Sequence, residues 1–517
     1  MASFRVDKKR NVVPNWREYN KTAQMGEFGD NRLQIVSPTS FFPIDEYILA
    51  WQNNKTIPYA GDLISAAMLN GHATNKDAIE AAQFVLSHKD EASVAVIRAA
   101  ESIVPSLTSS NAVRVLSLTD KLTCISTQEE KSKNAIKLLK QNRDYFCYNP
   151  IAYCEMARHY VNLGQLQKAK DMMDIAIHLA PQHRYICRSA ARFYLHYGDD
   201  ERARFVIAHN PWVTKDPWLM ASEIAINTLM GRSSRLIKKG REIISSNNLS
   251  PFSISELSSA IGSLEMLNDN RKRCRELFRT ALIRPNDNSL AQAKWLLSEY
   301  KDLSFDFADY SYLADSFEAD AMSAFMADDF NRALDTAVDW IEDMPFTRRP
   351  VQFAADMAYT YLKDYSTAIA VLKHGLKANP CDAALLNNLA YAYALNGQTT
   401  EASKTIDEAR RLPSNLRSTE INICLKATEG LNEYRMGHPE EGKQLYIEAI
   451  RQANQLVDKV LERRAVLNFA REEVRANPSF DSSLLSMLDD IPDDNKEISQ
   501  LKEDIKNAAE HRDPLNN

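Results

Sequence analysis

Three stretches of this chain carry the same residue types at the same offsets, and that periodicity constrains the fold more tightly than any other feature. From Pro150 the series is Tyr153, Met156, Ala157, Tyr160, Gly164, Ala169, Met173, Ala176 and Pro181. From Ala383 it is Leu386, Leu389, Ala390, Tyr393, Gly397, Ala402, Ile406 and Ala409, with Pro413 one residue early. From Arg349 it is Ala355, Tyr359, Ala368, Leu372 and Pro380, with Asp364 near the expected turn. The unit this implies is a helix–turn–helix of about 34 residues. Apolar residues at i, i+3, i+4 and i+7 give its first helix one buried stripe. Ala157 and Ala390 allow the closest approach of the paired helices. Gly164 and Gly397 suit the left-handed residue that ends the first helix. Ala169, Ala368 and Ala402 let the second helix pack tightly, and Pro181 or Pro380 prevents it from continuing.

These residues resemble the tetratricopeptide repeat family, and weaker copies extend the likeness. Residues 184–211 keep Ala191, Tyr194, Gly198 and Ala203; a unit from Trp218 passes Ala221 and Ala225 to Gly231. Gly262, Phe278, Ala281 and Pro285 mark another, Ala321, Ala324, Ala333 and Pro345 a further one, and Gly430, Gly437 and Ala449 the last. The resemblance spans roughly residues 150–450 and implies an all-α, right-handed α-solenoid of helical hairpins with an irregular N-terminal arm. Only 14 glycines occur, which also disfavours glycine-rich β or α/β architectures.

Around that array the chain divides into five segments. Residues 1–57, with Pro14, Pro38 and Pro43, read as the irregular arm, packed on the solenoid or contacting a partner. Residues 58–298 form a divergent array, in which Ala66, Ala67, Ala78 and Ala82 hint at an early hairpin. Residues 299–313 read as an acidic joint and 314–454 as a second array. Residues 455–517 supply a capping helix and an acidic tail, with Asp489, Asp490, Asp493 and Asp494 expected to be solvated or disordered.

Charge is uneven although the net is only −6. Arg184 to Arg279 holds 16 basic and 10 acidic residues, a net of +6, whereas Glu299 to Asp364 holds 5 basic and 15 acidic, a net of −10. Such blocks either solubilise a helical surface or form docking faces, including basic-to-acidic self-association. The seven cysteines are scattered without a C-x-x-C, which disfavours disulfide and zinc frameworks and points to a reducing, cytoplasmic setting. No run approaches ~18 uninterrupted apolar residues, so no membrane partner is expected. No phosphate-loop, dinucleotide or zinc-protease motif appears, and neither a metal nor a cofactor is expected.

In the family, the first helix of each repeat lines the concave groove. The resemblance therefore places Cys154, Glu155, Arg158 and Asn162 on that face in one repeat, and Arg188, Arg192 and His196 in the next. Guanidinium groups there make a seat for carboxylates or phosphates, unless Glu155 and Asp199–Glu201 neutralise them internally. Asn387, Asn388 and Tyr391, with Arg435 from the last repeat, take the equivalent positions in the second array. Asparagines so placed resemble the peptide-backbone clamps of peptide-binding relatives, but the carboxylate-holding lysines of those relatives have no clear counterpart.

The function expected is a non-enzymatic scaffold or adaptor that binds a partner protein through its concave groove. The alternative is a regulatory or sensor subunit that binds nucleic acid or nucleotide through the basic 184–279 stretch. That stretch contains Arg232, Arg235, Lys238, Lys239 and Arg241, and Arg271, Lys272, Arg273 and Arg275, without interleaved aromatics. Arg204 and His209 share the R-x-x-x-x-H spacing of a helical ribonuclease family, a pattern that chance supplies often.

Overall fold

The computed structural model describes residues 10–17, 44–69, 75–92, 94–104, 117–141, 147–246, 248–300, 302–307, 310, 313, 315–477, 488, 491–492 and 496–510. Most of the expected arm and the four aspartates of the acidic tail lie outside these residues. Among the described residues there are twenty-five α-helices and no strand. The first four are α1 (Ile44–Asn53), α2 (Ile57–Leu69), α3 (Lys76–Ser87) and α4 (Val94–Ile103). Then come α5 (Leu118–Ser126), α6 (Gln128–Gln141), α7 (Pro150–Asn162) and α8 (Leu166–Leu179). The middle of the chain forms α9 (Arg184–His196), α10 (Asp200–Ala208), α11 (Pro217–Leu229), α12 (Ile237–Ser245), α13 (Pro251–Leu267), α14 (Arg271–Ala281) and α15 (Asp287–Glu299). After it lie α16 (Phe317–Met326), α17 (Phe330–Asp343), α18 (Arg348–Asp356), α19 (Tyr365–Ala378), α20 (Ala383–Leu395) and α21 (Thr399–Arg411). The last four are α22 (Thr419–Met436), α23 (Pro439–Gln455), α24 (Lys459–Ala476) and α25 (Lys496–Glu510).

Eight of the turns between paired helices share one geometry. The residue after the first helix is left-handed at Gly164, Gly198, Gly231, Asp269, Asp328, Lys363, Gly397 and Gly437. At seven of them the next N–H donates to the carbonyl five residues back, as in Gln165 to Tyr160 and Asn270 to Glu265, at 2.8–3.0 Å. This is the longer bond of the glycine C-cap, and it satisfies a carbonyl that the helix end would orphan. The eighth turn differs by one residue: the Asp364 N–H reaches Ala358 O at 2.9 Å, across the π-helical turn Met357–Leu362. That insertion puts Lys363 where the other repeats have glycine or aspartate, and makes Asp364 the N-cap of α19. Gly262 is not a turn residue: it lies inside α13, where a Cβ would sit 2.9 Å from the Phe278 ring.

The chain forms two compact units that are discontinuous in sequence: residues 1–10, 118–175 and 315–517, and residues 11–117 and 176–314. In the first unit, α5 lies against α17 and α19, and α7 against α19. Ile125 enters the core of Ala333, Ala337, Val351, Leu372 and Ala402, while Lys121 reaches Asp335 and Asp339 at 2.7 and 2.6 Å. In the same unit Glu318 accepts from Arg10 and Arg349, both at 2.8 Å. The tail is not wholly solvated: α25 buries Ile498, Leu501 and Ile505 against Leu467, Ala470 and Val474 of α24. Glu497 pairs with Arg464 at 2.5 Å, which holds α25 in register on α24.

In the second unit α1–α4 close over their own core, with Trp51, Ala67, Ala78 and Ala82 fully buried or nearly so. The helices α9, α11, α13 and α15 stack side by side as the first members of successive hairpins. The described part of the expected joint packs back on this unit. Phe305 stacks on Phe278 at 5.0 Å, and the Lys294 ammonium lies 3.9 Å from the centre of the Phe307 ring.

Candidate functional site

The shared face of α9, α11, α13 and α15 carries a buried polar network. Arg188 donates to the Trp218 carbonyl and to Ser222 Oγ, each at 2.8 Å, and pairs with Glu256 at 2.8 Å. Its guanidinium also lies 5.1 Å from the centre of the Trp218 ring. Glu256 accepts further from the side-chain amides of Asn286 and Asn288, at 2.9 and 3.2 Å. A carboxylate this buried persists because cation and amides replace its lost hydration. Arg184 pairs with Asp216 at 2.5 Å, and Asp216 also caps the N-terminus of α11.

Residues 11–17, NVVPNWR, run along this face with burial that alternates as far as Trp16, after which Arg17 is buried too. Val12, Pro14 and Trp16 are buried while Asn11, Val13 and Asn15 are half-buried, the period of two that an extended chain imposes. Val12 packs among Met220, Ala221, Ile224, Leu257, Ala260 and Ile261. Trp16 sets its edge against Phe193, ring centres 6.2 Å apart at 89°. Asp287 accepts from Asn15 Nδ2 at 2.6 Å and from Arg17 at 2.5 Å. Two main-chain carbonyls are held as well: Asn288 Nδ2 donates to Val13 O at 2.9 Å and the Tyr185 hydroxyl to Arg17 O at 3.0 Å. Pro14 has no N–H to leave unsatisfied and restricts the segment to extended backbone.

The residues singled out from sequence take different places. Arg158 belongs to the unit containing 118–175, whereas Arg188, Arg192 and His196 belong to the one containing 176–314. Arg158 is buried and bonded to Glu155 at 2.9 Å; Asn162 donates to Ser132 Oγ at 3.4 Å. Arg188, 1% exposed, serves the internal network rather than an open anion seat. Arg192 and His196 are half-buried on α9, with the His196 ring edge-on to Tyr197 at 4.7 Å.

In the second array the equivalent positions pack against α22 and α24. Asn387 and Asn388 are fully buried, and Thr428 donates to Asn387 Oδ1 at 2.9 Å. The Tyr391 hydroxyl donates to Asn468 at 3.0 Å and accepts from Arg471 at 3.1 Å; Arg435 pairs with Glu472 at 3.1 Å. Asn468, Arg471 and Glu472 all come from α24, so Tyr391 and Arg435 are bonded to this capping helix. Glu256, Asp287, Asn288 and Tyr185 were missed. The available signals were buried-type polar residues within apolar helices and the alternating V-x-P-x-W of residues 12–16.

Several side chains of the basic stretch are ion-paired. Arg232 and Arg204 share Glu201, Arg241 meets Glu265, and Arg271 meets Asp302 and Asp269. The Arg204/His209 pair is likewise local: His209 stacks on Phe205 at 3.9 Å and bonds Phe205 O at 2.9 Å. Among the described residues, no group of three histidine, cysteine or acidic side chains could hold a metal ion, and no helix is long and apolar enough to cross a membrane.

Residues 371–402, from α19 into α21, match the family profile described as tetratricopeptide repeat. No curated protein matches the chain in sequence. Among solved structures, yeast Tom70 is 15% identical, with 75% of this chain and 95% of that one covered at a TM-score of 0.31. The human IFIT1 dimer with PPP-AAAA is 14% identical, covering 76% and 98% at a TM-score of 0.35. Naa15/Naa10 bound to HypK-THB is 13% identical, covering 91% and 77% at 0.22. The overlaps with these structures are too low to bear on function. The recurring offsets, the eight equivalent turns and the matched segment together show an array of helical hairpins of which residues 371–402 match the tetratricopeptide repeat.

Proposed function

We propose that this chain is a non-enzymatic scaffold that holds a partner protein by taking an extended segment of it along the α9–α11–α13–α15 face. The observation that carries this is the handling of residues 11–17, whose main-chain carbonyls at Val13 and Arg17 accept from Asn288 and Tyr185. Side-chain donors aimed at backbone carbonyls bind any extended chain, while neighbouring apolar and acidic surfaces choose among side chains. Arg192 and His196, half-buried on α9, are proposed as edge contacts for that partner.

The test is affinity purification of the full chain from its native host, comparing wild type with Asn288→Ala/Tyr185→Phe. A partner lost at least tenfold from the variant, with its helical circular dichroism intact, is the expected result. Equal recovery would remove the groove from the binding site.

A further inference from the structure

Residues 12–17 present the groove with a complete set of recognition elements, and the groove answers each one separately. An apolar site from α11 and α13 takes Val12, an aromatic edge on α9 takes Trp16, and Asp287 at the start of α15 takes Arg17. The carbonyl clamps lie between and beyond these sites, on Val13 and Arg17. We infer that residues 12–17 are a tethered occupant, and that the partner segment displacing them shares their chemistry: an aliphatic residue, proline two positions on, then an aromatic residue two further on followed by arginine. This rests on the reading of that face as a holder of extended chain, and adds both its selectivity and its regulation.

Release is feasible because the helices keep their own backbone hydrogen bonds when the segment leaves. Asp287 supplies the selectivity for a basic residue. It sits at the N-terminus of α15, and without Arg17 its carboxylate would lose its cation. Proline lowers the entropy lost when an extended segment is bound. A covalently tethered occupant competes at millimolar effective concentration, so a free peptide of the same sequence binds the intact chain on the order of 100-fold more weakly than a chain whose own segment is disabled.

The experiment uses a fluorescein-labelled synthetic peptide, NVVPNWR, titrated by polarisation against the full chain. It is compared with full-length Trp16→Ala/Arg17→Ala, and with that variant further carrying Asp287→Ala/Asn288→Ala. Weak binding to wild type, binding about 100-fold tighter to the first variant and loss in the second are expected. A folded first variant that binds the peptide no better than wild type overturns the inference. Hydrogen exchange of wild type decides the matter if that variant does not fold. Val12, Val13, Asn15, Trp16 and Arg17 amides must then exchange faster than those of α11 and α13; exchange only in step with those helices makes the segment a fixed part of the core and overturns the inference. Partner recovery in the preceding test separates the outcomes, since a partner lost from the groove variant without peptide exchange leaves the scaffold reading standing.

Discussion

The side-chain amide of Asn288 lies 2.9 Å from the main-chain oxygen of Val13 and 3.2 Å from a carboxylate oxygen of Glu256, donating to both. One residue thus joins the extended N-terminal segment to the buried pair of Arg188 and Glu256. The network that keeps α9, α11 and α13 together is also the one that positions the clamp. Substitutions at its centre and at its edge should therefore have different consequences.

Arg188→Ala leaves Glu256 buried without its cation. A loss of about 3–5 kcal/mol is expected, the usual cost of breaking a buried ion pair from one side. Urea unfolding followed by circular dichroism measures it. A loss below ~1 kcal/mol would show that the pair is solvated.

Gly164 and Gly397 occupy the same left-handed turn position, with φ of 65° and 74°. A Cβ on Gly397 meets nothing within 4 Å, whereas one on Gly164 would lie 2.7 Å from the Lys377 carbonyl. Gly397→Ala should cost about 1–2 kcal/mol from backbone conformation alone. Gly164→Ala should cost distinctly more, because α7 must also move from α19. Equal losses in thermal unfolding would contradict the close approach.

Asp269 takes that turn position without the freedom of glycine, at φ 56°. Among the described residues it pairs with the exposed Arg271. Asp269→Gly should raise stability by up to about 1 kcal/mol, relieving left-handed strain at small electrostatic cost. A shift in the urea midpoint is the readout, and a lowered midpoint would refute the strain argument.

Acidification should act in two windows. Burial, followed by the neighbouring Arg184, pushes His183 down to about 4; burial and then Lys377 do the same to His374. In the unfolded chain these rings take protons below about 6.5 while the folded ones stay neutral, so stability falls between pH 6.5 and 4. At pH 5 the loss is on the order of 2 kcal/mol for each ring. Burial alone would raise Glu318, but Arg10 and Arg349 overcome it and hold the carboxyl at about 2. Its contribution is present above about 4.5 and disappears as pH falls through about 2. His374→Gln should flatten the upper window and Glu318→Gln the lower one in urea titrations. Unchanged pH profiles would show that neither group titrates as its burial implies.

Much of the repeat was readable in the chain because its requirements are local. Ala157, Ala169, Ala390 and Ala402 are small at helix contacts, and Gly164, Gly198, Gly231 and Gly397 end helices where only a left-handed residue completes the cap. The turns at Asp269, Asp328 and Lys363 were harder to locate, since aspartate and lysine do not announce a left-handed conformation. The extra residue of the π turn further displaced the 349–380 repeat.

The sequence by itself determined the helical hairpin, its period and its turn chemistry, because i to i+4 spacing and a single dihedral specify them. The tertiary structure alone decided which hairpins share a core and what lies on their inner faces. Gly164 meets Lys377, Tyr391 meets Arg471, and Val13 meets Asn288 through contacts between residues far apart in the chain. No local periodicity records such pairings. A polar side chain on an inner helix has the same sequence signature whether it faces an incoming partner, a capping helix or the chain's own N-terminal segment.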